Sequence, residues 1–162
     1  MQLRFLLCKV CFLLIIPCSA ILAEQQREDF FIAPFGEISG YGWDGNNAIG
    51  GGLMIGAGTG GALGLSVSYA VDAESSIFLE LLFFLRVYIF GADAISGPFL
   101  QLSAGPVIYA YTSPQITNYG NISAGITTGW RFLLGRHFFI EPAFRIGFPY
   151  LAAASMAVGV RR

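Results

Sequence analysis

Residues 76–90 read Ser76-Ile77-Phe78-Leu79-Glu80-Leu81-Leu82-Phe83-Phe84-Leu85-Arg86-Val87-Tyr88-Ile89-Phe90, an apolar stretch that carries two charges. Glu80, Arg86 and Tyr88 share one set of alternate positions, whereas the other set is wholly aliphatic or aromatic. Because successive side chains of a β-strand point to opposite faces, this alternation predicts a strand with one polar and one apolar face.

The same alternation recurs in residues 62–71, 99–111, 122–134 and 138–147. In each segment, one face is large and apolar and the other is small or polar. An arginine on the lipid face of a membrane barrel costs about 2–4 kcal/mol at the bilayer midplane. Five charges in these segments and in residues 76–90 all avoid the apolar face, which predicts an interior charge network in a transmembrane barrel: Glu80, Arg86, Arg131, Glu141 and Arg145.

A helical membrane protein is the alternative architecture, because only helices and closed barrels satisfy the backbone in lipid. Residues 45–71 are uncharged, and glycines at four-residue spacing from Gly52 to Gly64 would suit close helix contact. However, the same stretch contains Gly50-Gly51-Gly52 and Gly60-Gly61, and each glycine inside a helix costs about 1 kcal/mol relative to alanine. The period-two pattern therefore favours an all-β fold.

The barrel has eight predicted antiparallel strands, the smallest number in the usual range. We place them at residues 30–41, 48–57, 61–71, 76–90, 99–111, 122–134, 137–147 and 151–161. The longest segment between strands, residues 112–121, is a candidate surface loop, and the residues expected to be exposed there are Thr112, Ser113, Pro114, Gln115, Asn118 and Tyr119. Aromatic residues near strand ends are expected to form interfacial girdles: Tyr41, Trp43, Tyr69, Trp130, Phe132, Phe138 and Tyr150.

Residues 1–23 have the layout of a secretory signal peptide, with Arg4 and Lys9 before an apolar run and small residues before an abruptly polar stretch. We expect cleavage after Ala23 or Ala20, a short polar linker at residues 24–29, and the barrel at residues 30–162. The alternatives are a retained signal anchor and a lipoprotein signal that ends at Cys18.

Composition excludes several other classes. The chain is 55% hydrophobic and 12% charged, so it lacks the high charge of a disordered chain, and it has no Lys/Arg patch of the kind that binds nucleic acid. All three cysteines lie within residues 1–23, so the cleaved chain cannot be a disulfide-stapled secreted domain. Cleavage also leaves seven basic residues, all arginine, against ten acidic ones.

The C-terminal third reads Gly129-Trp130-Arg131-Phe132-Leu133-Leu134-Gly135-Arg136-His137-Phe138-Phe139-Ile140-Glu141-Pro142, followed by Arg145 and Gly147-Phe148-Pro149-Tyr150. An earlier strand opens with Gly97-Pro98-Phe99-Leu100-Gln101. These motifs resemble small bacterial outer-membrane β-barrel proteins, and the architecture is similar to the eight-stranded OmpX, OmpW and OmpA transmembrane-domain type. The chain departs from that group in ending Val158-Gly159-Val160-Arg161-Arg162 rather than in an aromatic residue.

The resemblance implies export to the outer membrane of a diderm bacterium, contact with outer-membrane lipid, and folding by the barrel-assembly machinery. An eight-stranded interior is just wide enough for side chains to fill. We therefore expect a role in envelope structure or in surface interaction with an external ligand or host surface. The alternative is a channel of the OmpW type for small solutes or hydrophobic molecules.

No arrangement of residues predicts catalysis, a cofactor or a metal site. His137 is the only histidine and is expected in an exposed turn, away from the outer rim where small outer-membrane barrel enzymes use Ser and His. The glycine-rich stretch from Gly50 to Gly64 is not followed by a βαβ unit, so it does not predict nucleotide binding.

Two packing predictions follow from the inward faces. A hairpin turn at Leu134-Gly135-Arg136 brings Arg131 and Glu141 close together on one face, directly opposite each other if Leu134 pairs with Phe138. Small inward residues are expected to make room for bulky ones; they are Gly64, Ser66, Gly105, Gly125, Gly129 and Gly159.

Overall fold

The computed structural model describes residues 30–40, 47–58, 60–73, 76–89, 96–110, 118–149 and 151–162, with the backbone alone for residues 109–110 and 118–120. The predicted signal peptide and polar linker lie outside the described residues and stay predictions. The same holds for Tyr41, Trp43 and Tyr150 of the expected aromatic girdles.

Eight strands form a single closed antiparallel barrel, as the alternation predicts. Each strand pairs with the next, and β1 also pairs with β8, so the sheet has no free edge. Among the described residues, no helix is both long and apolar enough to cross a bilayer. The strands are β1 (Phe30–Gly40), β2 (Asn47–Ala57), β3 (Gly61–Asp72), β4 (Ile77–Tyr88), β5 (Gly97–Ala110), β6 (Asn118–Leu134), β7 (Phe138–Phe148) and β8 (Ala152–Arg161).

The largest difference from the predicted boundaries is the start of β6. Asn118 and Tyr119 are the first residues of this strand, where Asn118 pairs with Ala110 and Tyr119 with Tyr109. These two residues therefore belong to β6 and not to the segment between the strands, while their predicted surface exposure stays a prediction. Asn and Gly residues read as a turn signal, but the backbone of residues 118–121 continues the ladder because β5 offers it a partner. Thr112, Ser113, Pro114 and Gln115 lie outside the described residues.

The two ends of the barrel differ in what they carry. The first residue of β1 and the last residue of β8 lie at one end, here called the termini end, which also receives the connections from β2 to β3, β4 to β5 and β6 to β7. The opposite end, here called the loop end, receives the connections from β1 to β2, β3 to β4, β5 to β6 and β7 to β8. Asp72 belongs to the loop end, where its carboxylate accepts a hydrogen bond from the backbone N–H of Ser76 at 2.8 Å.

The outer face is aliphatic and aromatic around the barrel, and the inner face carries the charges. In β4 the burial alternates residue by residue, with Phe83 and Val87 exposed and Glu80 and Arg86 buried. Residues paired across neighbouring strands share a face, so an inward residue pairs with an inward one and an outward residue with an outward one. Charged side chains in the strands therefore avoid the apolar outer face.

The interior near the termini end is filled by interlocking aromatic rings. Phe31 packs against Phe84 with ring centroids 6.3 Å apart, and against Phe139 edge to face at 6.0 Å. Inward glycines give these rings their space: a Cβ at Gly159 would lie 2.2 Å from the tip of the Phe139 ring, and one at Gly64 would lie 2.3 Å from the tip of Phe84. Large inward side chains on one strand thus fill the space that inward glycines leave on the neighbouring strand.

Candidate functional site

Six charged side chains of the described residues lie in the interior, and they form two clusters. Alternation places each of them, since each lies on a strand position whose neighbours in sequence face outward. Five are the residues predicted as the interior charge network. The structure brings all five inside the barrel and adds Glu37 of β1.

The first cluster consists of Arg86, Glu141 and Arg131, and is here called the lower cluster. The two terminal nitrogens of the Arg86 guanidinium contact the two Glu141 carboxylate oxygens, each at 2.8 Å, as a bidentate pair. The Arg131 Nε–H donates to Glu141 Oε2, also at 2.8 Å. No member is more than 2% exposed. A single carboxylate therefore forms ion pairs with two buried guanidinium groups.

Neutral groups complete the surroundings of Arg86. Gln101 Oε1 accepts hydrogen bonds from Arg86 Nε at 3.0 Å and from Nη2 at 2.7 Å. Aromatic rings also contact both guanidinium groups. That of Arg86 lies 4.0 Å from the Phe99 ring centroid, and that of Arg131 lies 3.9 Å from the centroid of Phe139. In such cation–π contacts the ring faces attract the guanidinium charge.

The second cluster lies closer to the loop end and consists of Glu37, Arg145 and Glu80; it is here called the upper cluster. Arg145 Nη2 donates to Glu37 Oε1 at 3.2 Å, and its Nη1 donates to Glu80 Oε2 at 3.1 Å. Ser68 also donates to Glu80 Oε2 at 3.3 Å. Two carboxylates here share one guanidinium, so the two clusters balance each other in formal charge.

The predicted network did not include Glu37, although the sequence of β1 contains the information needed to place it inside. In β1 both sets of alternate positions contain apolar residues, so the strand does not show the contrast seen in β4. Glu37 is nevertheless the only charge in β1, and the cost of a charge in lipid would have placed it inside. Ser39, on the same face, is also buried.

A cavity of about 50 Å³ lies between the two clusters. It is bounded by Glu141 and Arg86 of the lower cluster, by Glu37 and Arg145 of the upper cluster, and by neutral residues such as Thr127. A water molecule needs about 10–15 Å³ of such space, so the cavity can hold a few waters but no extended aqueous lumen. The interior of the described residues is thus a packed, charge-balanced core.

Other groups that could bind a metal ion or take part in catalysis are few among the described residues. They contain no group of three or more His, Cys, Asp or Glu side chains arranged to hold a metal ion. His137 lies exposed in the turn between β6 and β7, where its Nδ1 is 3.4 Å from the backbone oxygen of Arg161. This places it at the termini end, away from both clusters.

No protein-family model matches the sequence, and no curated protein sequence matches it. Solved structures do share its architecture. Neisserial surface protein A, NspA, superposes with a TM-score of 0.64 at 8% identity, over 83% of this chain and 95% of that chain. The N-terminal β-barrel domain of Pseudomonas aeruginosa OprF gives a TM-score of 0.58 at 19% identity, over 83% and 97% of the two chains.

A third similar structure is Ail, the attachment invasion locus protein of Yersinia pestis, solved with the heparin analogue sucrose octasulfate. It gives a TM-score of 0.50 at 14% identity, over 83% of this chain and 98% of that chain. At these identities the likeness concerns the fold alone, and it agrees with the closed eight-stranded barrel described above. The chain therefore has the eight-stranded fold of bacterial outer-membrane β-barrel proteins.

Proposed function

We propose that this protein is an integral outer-membrane barrel that acts in envelope structure or surface interaction, through its ends rather than through a lumen. The observation that carries the proposal is the filled interior. Phe31, Phe84, Phe99 and Phe139 are each at most 3% exposed, and the lower cluster lies directly among these rings. A barrel closed in this way leaves its loop end and its lipid face for contact with partners.

Membrane placement is supported by the outer surface. Its exposed residues are large and apolar on every strand, from Ile38 on β1 to Val158 on β8. In water such a surface would expose far more contiguous apolar area than a soluble monomer does. The similar solved structures are outer-membrane proteins, which supports the outer membrane as the location.

Surface interaction is the finer part of the proposal. Ail shows that a barrel of this architecture can be solved in complex with a sulfated carbohydrate analogue. In the present chain, the loop end connects β1 to β2 and β5 to β6. We propose an external ligand or host surface as the partner of that end. An OmpW-type channel is the competing function, and conduction separates it from this proposal.

The experiment that tests the proposal measures which end faces the medium. Ala73 and His137 are both exposed but lie at opposite ends of the barrel, and the chain has no cysteine after residue 23. We expect a membrane-impermeant maleimide to label Ala73→Cys in intact cells and to leave His137→Cys unlabelled. After permeabilisation, both variants should react to the same extent.

The matched pair makes the result decisive. Both substitutions sit in turns outside the packed core, so both variants are expected to fold, which heat-modifiable migration in a detergent gel checks. Labelling of His137→Cys alone in intact cells would reverse the orientation. Labelling of neither variant before permeabilisation would contradict surface exposure.

A further inference from the structure

A shallow apolar groove crosses β5, β6 and β7 on the outer face of the barrel, and it is here called the lateral groove. Its volume is about 580 Å³, which lies within the range of about 300–1,000 Å³ that is usual for small-molecule sites. All eight residues that line it are uncharged. Its walls are four large side chains, each between 45% and 67% exposed: Leu102, Ile126, Ile146 and Leu151.

The floor of the lateral groove is made of small residues. Gly125 of β6 pairs with Gly147 of β7, so backbone without side chains lies between the walls. A Cβ built on Gly147 would lie 2.3 Å from the backbone oxygen of Ala124, so glycine is what lets the two strands approach this closely. Ala124 is exposed on the outer face and pairs with Ala104 of β5. Two neighbouring strands thus lack large outward side chains at the same level, and this lack creates the depression.

The position of the lateral groove along the barrel corresponds to the depth of lipid hydrocarbon. Trp130 and Phe132 of β6 stack on each other on the outer face, with ring centroids 5.9 Å apart, and such aromatic side chains collect at the membrane boundary. Ile126 lies six residues before Phe132 on the same strand. At about 3.3 Å per residue and a strand tilt of about 40°, this spacing is about 15 Å along the barrel axis, half of a hydrocarbon core about 30 Å thick. The groove therefore extends from the middle of the bilayer towards the loop end.

We propose that the lateral groove binds one acyl chain of a membrane lipid in the leaflet at the loop end. The inference rests on the membrane placement of the proposed function, which surrounds this depth of the barrel with hydrocarbon. Packing contacts drive association within a bilayer, and a chain in the groove contacts side chains on both of its sides. A second copy of this chain is the other conceivable occupant. However, a stable protein interface has about 20–30 residues on each side, whereas eight residues line the groove.

The test uses the full chain, folded and inserted into lipid vesicles, with a photoactivatable lipid as the probe. The probe is phosphatidylcholine that carries a diazirine in the middle of one acyl chain, and mass spectrometry locates the labelled residues. We expect residues of the lateral groove to be labelled about tenfold more than exposed residues on the outer face of β1 and β2, because about ten additional atom contacts favour a bound chain by this factor. A phosphatidylglycerol probe with the same acyl chains should give the same pattern, because the groove contacts the chain and not the headgroup.

A matched pair of variants shows whether the groove itself causes the preference. Ala124→Phe fills the lateral groove and should reduce its labelling to the level of the remaining outer face. Ala154→Phe is the control, because Ala154 is also exposed on the outer face but lies on β8, outside the groove. This variant should keep the labelling of the groove. Heat-modifiable migration checks that both variants are folded. If Ala124→Phe fails to fold, Ala124→Leu and the labelling pattern of the unmodified protein supply the test.

The outcomes separate this inference from the proposed function. Even labelling around the outer face of an inserted barrel would overturn the inference and leave the proposed function intact. Failure of the folded chain to insert into vesicles would overturn both. Labelling of the groove that disappears as the ratio of protein to lipid rises would assign the groove to a second copy of the chain instead.

Discussion

Replacing Glu141 with alanine is expected to lower the free energy of unfolding by about 3–5 kcal/mol, the usual cost of removing one partner from a buried ion pair. Glu141 is the only carboxylate in the lower cluster, and both Arg86 and Arg131 contact it at 2.8 Å. Without it, two guanidinium groups would stay buried with like charges close together. Urea unfolding of the refolded barrel in lipid vesicles measures the change.

A double-mutant cycle separates the pairing from general damage to the interior. We expect the losses for Arg131→Ala and Glu141→Ala to be non-additive, because the second substitution removes a partner that the first has already left unpaired. Glu141→Gln keeps the shape of the side chain, so its free energy of unfolding should lie between those of the unmodified protein and of Glu141→Ala. Arg136→Ala removes an exposed arginine and should change stability by no more than about 0.5 kcal/mol. Additive losses would contradict a shared carboxylate.

Introducing a methyl group at Gly159 is the second large perturbation. A Cβ there would meet the Phe139 ring tip at 2.2 Å and the Ala33 side chain at 2.8 Å. Phe139 is fully buried against Phe31, so its ring has little room to withdraw. We expect Gly159→Ala to cost about 1–3 kcal/mol, the usual range for overpacking a core. The same urea titration measures this loss.

Gly36 offers the matched control for that substitution. It also lies in a strand, β1, but a Cβ built on it would meet nothing within 4 Å. Gly36→Ala should therefore leave stability within about 0.5 kcal/mol. Equal losses for the two variants would mean that strand glycines matter through backbone conformation rather than through space for the rings.

Alternation predicts the barrel because lipid penalises charge so strongly. In β4 the positions of Glu80 and Arg86 fix which face is inside, and the eight strands then follow with small errors at their ends. The hairpin between β6 and β7 also follows, since Leu134 pairs with Phe138 and thereby sets Arg131 beside Glu141. These are local relations, in which partners lie close in sequence.

Contacts across the barrel could not be predicted in the same way. Arg145 contacts Glu37, which lies 108 residues earlier, and Glu80, which lies 65 residues earlier. Which inward residues meet across the lumen depends on the stagger of the closed sheet, and alternation gives only the face. The division into two clusters, and the stacking of guanidinium groups on Phe99 and Phe139, therefore required the structure.

Conductance in planar bilayers tests the central claim, that the interior is closed, most directly. Aqueous channels occur in barrels of about 16–18 strands, whereas eight strands enclose space that side chains fill. The purified, folded protein should show no stable openings of nanosiemens size, while a general porin in the same bilayers opens normally. Reproducible large openings that depend on folded protein would contradict the account and establish the channel function instead.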